Sequence, residues 1–237
     1  MISLSVIIPF YNEESSVNDL LKECFKISIS KRNIEFVLVD NGSTDNTNIN
    51  LLRFLKSNQN FNAKIIEVKK NIGYGNGIIQ GLNNAHGEIL SWTHADLQTD
   101  INDVIGAYET FKEGLINNKC IVKGRRVNRN FFDNFFTKSM SLISTIILKK
   151  KLDDVNAQPK VFNKSFFRSL KNPPLDFSLD LFLLYFALEK KIIINNYPVL
   201  FKDRHSGKAK GGGTLIGKFK LIKRTLKYIL ELKNRLK

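Results

Sequence analysis

The sequence predicts an α/β fold: a mostly parallel central sheet with helices on both faces, followed by a basic amphipathic helix at the C-terminus. Two observations predict it. Short apolar runs rich in β-branched residues alternate with helix-like stretches through the first hundred residues, the pattern of buried parallel strands joined by crossover helices. Polar clusters then fall at the carboxyl ends of those runs, where sheets of this kind bind ligands.

Four runs of strand length come first: LSVIIPF (4–10), IEFVLVD (34–40), AKIIEV (63–68) and EILSWT (88–93). Helical stretches over 13–26, 47–58 and 76–86 separate them. Tyr11, Asn12 and Glu13 follow the first strand, Asp40 to Asp45 the second, Gly73 to Gly77 the third and His94 to Asp100 the fourth. A helix over 101–115 and a strand over 120–123 continue the pattern. Its character then changes. GRRVNRNFF is basic and aromatic, and it leads into a helix that carries Met140, Ile143, Ile146 and Ile147. An acidic, aromatic helix over 176–190, a strand over 192–201, the turn RHSGKAKGGG and the basic helix follow.

With 237 residues, 43% of them hydrophobic, the chain can bury a sizeable core. Its 37 Lys and Arg against 22 Asp and Glu leave a net charge of +15, which calls for an anionic partner: nucleic acid, a membrane surface or a phosphate-bearing small molecule. Thr214 to Lys237 holds eight of the cations and one acid, Glu231, whereas the first hundred residues are nearer balance. No helix-turn-helix, zinc or RNA-binding signature accompanies the charge, so nucleic acid is not expected as a partner. No run reaches the roughly 18 apolar residues of a membrane span. The N-terminus lacks a basic leader and a cleavage site and reads as a strand. A cytoplasmic protein lying peripherally on the inner face of the cell membrane is expected. Cys24 and Cys120 sit in apolar surroundings without CxxC spacing, and read as reduced core thiols.

Several features have a plain structural reading beside a functional one. NIGYGNG follows the third strand, whereas a dinucleotide fingerprint follows the first. His86 ends a helix, where a cation suits the dipole. FFDNFF is either core or, beside GRRVNR, a membrane-interface element. Leu215, Phe219, Ile222, Leu226, Ile229 and Leu236 form a stripe at helical steps. That stripe packs on its own domain, on a membrane or on a second copy, so a homo-oligomer stays open. Asp96 and Gln98 would share one side of an extended segment, opposite Ala95 and Leu97. Carboxylates there could hold a divalent cation against a pyrophosphate.

SVIIPFYNEESSV, VLVDNGSTDNT, NIGYGNGIIQGL and HADLQTD, in that order and at these intervals, resemble the family 2 glycosyltransferases of GT-A (Rossmann-like) fold. Within that family they are similar to the subgroup that contains the polyprenyl (dolichyl) phosphate sugar synthases. The likeness is strong over the first hundred residues and looser beyond. It implies an inverting, metal-dependent transfer from a UDP- or GDP-sugar to a lipid-linked acceptor, either polyprenyl phosphate or a growing surface glycan. Residues 1–100 would be the nucleotide-sugar half of one domain, 101–205 the acceptor half, and 206–237 the glycine-rich turn and terminal helix.

By the same resemblance Pro9, Tyr11, Asn12, Glu13, Asp40, Asp45, Gly73 and Asn76 would hold the donor. The family's metal motif is DxD followed by glutamine. Asp96 and Gln98 match its second acid and its amide, while His94 stands in place of the first acid. Mg2+ or Mn2+ would then be held by fewer protein ligands, or a softer cation preferred, or His94 would touch the sugar instead. DDVNAQPKVF, with Gln158, occupies the place of an acceptor segment. FSLDLFLLYFA resembles a helix with an acid near its start, making Asp180 the better match and Asp176 the second. RHSGKAKGGG is similar to an RxxGxSK turn, matching at Arg204, Gly207 and Lys210. For a hydroxyl acceptor Asp180 or Asp176 would act as general base. A phosphate acceptor needs no base, and Arg204, Lys210, Arg125 and Arg126 would hold it. A glycosyltransferase-like domain that binds nucleotide without catalysis is the rival reading, on the strength of His94.

Overall fold

The computed structural model describes residues 2–127, 145, 152–202, 223 and 227–231. Seven strands among them form one sheet: β1 Leu4–Phe10, β2 Ile34–Asp40, β3 Ala63–Glu67, β4 Ile89–Trp92, β5 Cys120–Val127, β6 Lys160–Asn163 and β7 Ile193–Leu200, in the order β3-β2-β1-β4-β6-β5-β7. Six run in one direction. β6 alone is reversed, pairing antiparallel with both β4 and β5. The helices are α1 Val17–Ser30, α2 Thr47–Ser57, α3 Tyr74–Asn83, α4 Ile101–Thr110, α5 Lys112–Ile116, α6 Lys164–Arg168 and α7 Leu179–Glu189.

Strand side chains alternate between two cores, as a sheet covered on both faces requires. Val6, Ile8, Phe10, Phe36 and Leu38 pack with α1 and α4, while Ile7, Val37 and Val39 pack with α3 and α7. α3 lies very close to the sheet. A Cβ on Gly81 would come within 2.4 Å of Ile7, so the helix reaches this depth only with glycine there.

The pairing of the central strands opens the crevice that matters. β1 pairs with β2 along its whole length, but β4 accompanies it only as far as Ile7 and Trp92. The last three residues of β1 therefore have no neighbour on the β4 side. Pro9, which has no N–H to give a ladder, falls in this stretch. Chain order also reverses here, β2 and β3 lying to one side of β1 and β4 to the other, and such switch points are where open α/β sheets bind ligands.

Several boundaries differ from those the sequence suggests. α1 begins at Val17 rather than at residue 13, because Glu13 gives its N–H to Thr47 and is drawn into the loop after β2. The helix expected over 101–115 breaks at Phe111 into α4 and α5. β6 and α6 were not foreseen. The GRRVNRNFF segment beyond Val127, all but Thr145 of the apolar helix after it, and the RHSGKAKGGG turn with Arg204 and Lys210 lie outside the described residues. Of the terminal helix, residues 227–231 are helical, and Tyr228 and Ile229 are buried against the α7-side core. No helix among the described residues is long and apolar enough to cross a membrane.

Candidate active site

A cavity of about 300 Å³ opens between the carboxyl ends of β1 and β4, lined by Pro9, Phe10, Tyr11 and Glu13 on one side and His94, Ala95 and Asp96 on the other. Asn41, Asn71, Gly73, Tyr74 and Phe177 close it. Its described wall carries two carboxylates, Glu13 and Asp96, and no lysine or arginine. Two carboxylates so placed favour a diphosphate that arrives with a cation over a bare one.

Hydrogen bonds between the strand-end loops hold the β1 side. The backbone N–H and side-chain amide of Asn12 donate to Ser43 and Thr44, and its carbonyl oxygen accepts from the Thr44 N–H at 2.8 Å. Asp45 accepts from the N–H of Glu14 and of Thr47. Asp40, buried at the end of β2, accepts the Ser43 N–H at 3.0 Å. Asn12, Asp40 and Asp45 thus brace the rim and do not line the cavity.

The floor is a glycine turn pressed against the segment before α7. Gly73 has φ +148°, and a Cβ there would lie 2.1 Å from the Leu175 carbonyl oxygen. Only glycine fits. The Asn76 N–H donates to that same carbonyl at 2.9 Å, which fixes the start of α3. Tyr74 then stacks flat on Phe177, ring centroids 4.8 Å apart.

Around Asp96 the segment is not extended. Leu97 has φ +58°, so the chain turns, and Asp96 accepts the Gln98 N–H at 3.2 Å as in an Asx turn. Asp96 faces the cavity, whereas Gln98 is carried away and its amide donates to the Lys202 carbonyl. Asp96 and Gln98 do not share one side as a strand would arrange them. His94 lines the cavity, and its Nε2 is 3.0 Å from the Tyr74 hydroxyl. Burial pushes the His94 pKa down, against the pull of Asp96, and pushes that of Tyr74 well up, with Asp180 adding to it.

Behind Tyr74 lies a buried polar chain. Gln158 donates from its amide to the Tyr74 hydroxyl at 3.3 Å and to Asp180 at 2.9 Å, and Asp180 pairs with the fully buried Lys160 at 2.9 Å. Burial lowers the Lys160 pKa, opposed first by Asp180. Asp176 accepts the Ser178 N–H ahead of α7. Neither Asp180 nor Asp176 lines the cavity. Arg126 is held by Asp154 through its backbone N–H and guanidinium, while Arg125 is exposed.

The predicted residues Pro9, Tyr11, Glu13, Gly73, His94 and Asp96 therefore meet in one cavity, and Gln158 and Asp180 stand one and two contacts behind it. Tyr74, Asn41, Asn71, Phe177 and Lys160 were not foreseen. Tyr74 had a signal, being the one large side chain inside a glycine turn at a helix start. Phe177 and Lys160 are placed by contacts between distant segments, which local spacing does not report.

The family model for Glycosyl transferase family 2 matches residues 5–192. Dodecaprenyl-phosphate galacturonate synthase of Rhizobium johnstonii is 26% identical over 176 residues, covering 72% of this chain and 50% of that one. Undecaprenyl-phosphate 4-deoxy-4-formamido-L-arabinose transferase of Proteus mirabilis is 34% identical over 148 residues, covering 62% and 43%. The chain thus spans half or less of the length of these two relatives. Among solved structures, glucosyl-3-phosphoglycerate synthase of Mycobacterium tuberculosis in complex with UDP superposes with TM-score 0.74 at 16% identity, covering 98% of this chain and 80% of that one. A mannosyltransferase of Pyrobaculum calidifontis in complex with GDP-Man and Mn2+ gives TM-score 0.65 at 18% identity, covering 88% and 58%. The fold they share is GT-A.

Proposed function

The chain belongs to glycosyl transferase family 2, and from that premise we propose that it moves a sugar, with inversion, from a UDP- or GDP-sugar to a lipid-linked acceptor. The observation that carries this reading is the cavity at the β1–β4 switch point, with Glu13 and Asp96 in its wall. Pro9, Tyr11 and Glu13 would receive the nucleoside, with Asp40 and Asp45 holding their loops. Residues 1–100 would supply the donor half and residues 101–205 the acceptor half.

A divalent cation fits this donor set. Mg2+ commonly takes one or two carboxylates, the rest of its shell being substrate phosphates and water, and Asp96 supplies one carboxylate to a wall whose described residues include no cationic side chain. Mg2+ or Mn2+ bound there would neutralise charge on the departing nucleoside diphosphate. His94 is committed through Nε2 to Tyr74, which favours the arrangement with fewer protein ligands.

Of the two acceptors, polyprenyl phosphate suits the structure better than a glycan hydroxyl. An alcohol needs a base, and Asp180 is buried in an ion pair with Lys160, away from the cavity wall. A phosphate is already an anion. The names of the two polyprenyl phosphate transferases above support the same acceptor, and the net charge of +15 suits a chain that would lie peripherally on the inner face of an anionic cell membrane.

The test is a thermal-shift panel of UDP- and GDP-sugars with Mn2+, Mg2+ or EDTA. Ligand at a hundred times its Kd adds about 2.7 kcal/mol to stability, a shift of several degrees. One base should give this shift in the presence of metal only, and Asp96→Asn should remove it. A flat response across the whole panel overturns the proposal.

A further inference from the structure

We infer that His94 acts as a neutral hydrogen-bond donor to an oxygen of the bound nucleotide-sugar through Nδ1, its tautomer set by the buried chain Tyr74–Gln158–Asp180–Lys160. The inference rests on the donor site proposed above. From the far end of that buried chain, each partner leaves the next with one way to bond.

Asp180 carries a carboxylate paired with Lys160 at 2.9 Å, and an ionised carboxylate only accepts. The Gln158 nitrogen 2.9 Å from it is therefore the amide NH2, which decides the orientation of that side chain. The same NH2 faces the Tyr74 hydroxyl at 3.3 Å, so that oxygen accepts from Gln158 and its single proton is left to donate. The Trp92 indole also approaches that oxygen but can only donate, which leaves His94 Nε2 at 3.0 Å to take the proton. Nε2 is thus the acceptor, and the ring proton resides on Nδ1, which has no hydrogen-bond partner among the described residues. His94 belongs to the cavity wall.

This arrangement gives a function to two buried charges that the proposed transfer does not otherwise use. Lys160 and Asp180, 0% and 2% exposed, cost desolvation that an apolar pair would avoid. In exchange they orient Gln158, and through it a donor in a wall whose described charged side chains are carboxylates. Lys160, Asp180, Gln158 and Tyr74 are positioning residues, and His94 is the group that would touch substrate.

The chain has three histidines, His86, His94 and His205, so ring nitrogens can be assigned by long-range 1H–15N spectra of the labelled full-length protein, with His94→Gln identifying the signal. Spectra are recorded at one pH and without metal. The expected result is a His94 ring with a protonated Nδ1 and an unprotonated Nε2. In Tyr74→Phe, which keeps the stack on Phe177, the ring should shift toward a tautomer mixture. Calorimetry of UDP and GDP should show Tyr74→Phe binding the preferred nucleotide about tenfold more weakly than wild type, the scale of one hydrogen bond to a charged group. A His94 ring protonated on Nε2, or unchanged in Tyr74→Phe, overturns this inference and leaves the donor site standing if wild type binds nucleotide. A wild type that binds neither nucleotide overturns both.

Discussion

Single residues decide what this cavity can hold. Leu97 at φ +58° turns Gln98 away from Asp96, so a motif that reads as two ligands presents one. A positive φ at leucine is not visible in a sequence, because leucine has no preference for it. Gly73 is the opposite case, a residue whose type announces an unusual backbone, though not the Leu175 carbonyl that requires it. Far from the cavity, Glu35 is buried and accepts from the Ser5 hydroxyl and the His86 N–H, with Lys64 Nζ 3.5 Å away. Burial works against its ionisation, but these partners prevail and its pKa lies below the ordinary glutamate value. A depressed folded-state pKa stabilises the fold above the unfolded value of about 4.3 and ceases to do so as pH falls through the folded value. Glu35→Gln should therefore lower the urea-derived stability at pH 7 by about 1.5–3 kcal/mol. The difference from wild type should shrink steadily below about pH 4. A difference that is constant with pH would mean that packing, not charge, holds this corner.

At the scale of elements, the strands that were legible are those buried on both faces. β1, β2 and β4 read as continuous apolar runs because helices cover both sides of them, and the crossover helices follow from the same pattern. β6 was hidden because it is only four residues long, with Val161 and Phe162 between the polar Lys160 and Asn163, and a buried lysine is legible only once its partner is known. That partner is Asp180 on α7, which joins the reversed strand to the helix behind the cavity. Lys160→Met alone should cost about 3–5 kcal/mol by leaving Asp180 buried without its cation, and adding Asp180→Asn should recover most of that loss. The double variant also assigns the role of Asp180. The asparagine introduced there keeps an acceptor for Gln158 but cannot take a proton, so loss of a general base would slow transfer by about a hundredfold or more. We expect transfer to polyprenyl phosphate to stay within about tenfold of wild type, as for a residue that positions without exchanging protons. Collapse of turnover in a stably folded double variant would restore Asp180 as the base.

Across the whole molecule, charge separates the two tasks. Residues 1–100 hold nine Lys and Arg against eleven Asp and Glu, a net of −2, which leaves +17 on residues 101–237. In the proposed reading the donor half would meet its anionic ligand with carboxylates and a cation, which leaves the excess positive charge for something larger. An anionic membrane surface fits, since basic residues near such a surface contribute about 1 kcal/mol each. Full-length protein should then sediment with vesicles containing phosphatidylglycerol but not with pure phosphatidylcholine. The attraction should fade at about 0.5 M salt, where the screening length drops to a few ångströms. Replacing Lys218, Lys220, Lys223 and Arg224 by glutamate should weaken vesicle binding at least about a hundredfold. The nucleotide-induced thermal shift should persist, because the described cavity wall draws only on residues 9–177. Equal sedimentation with neutral vesicles would mean that apolar insertion rather than charge brings the chain to the lipid. The terminal stripe, of which Ile229 is already buried in the core, would then have to share its remaining apolar face with the bilayer.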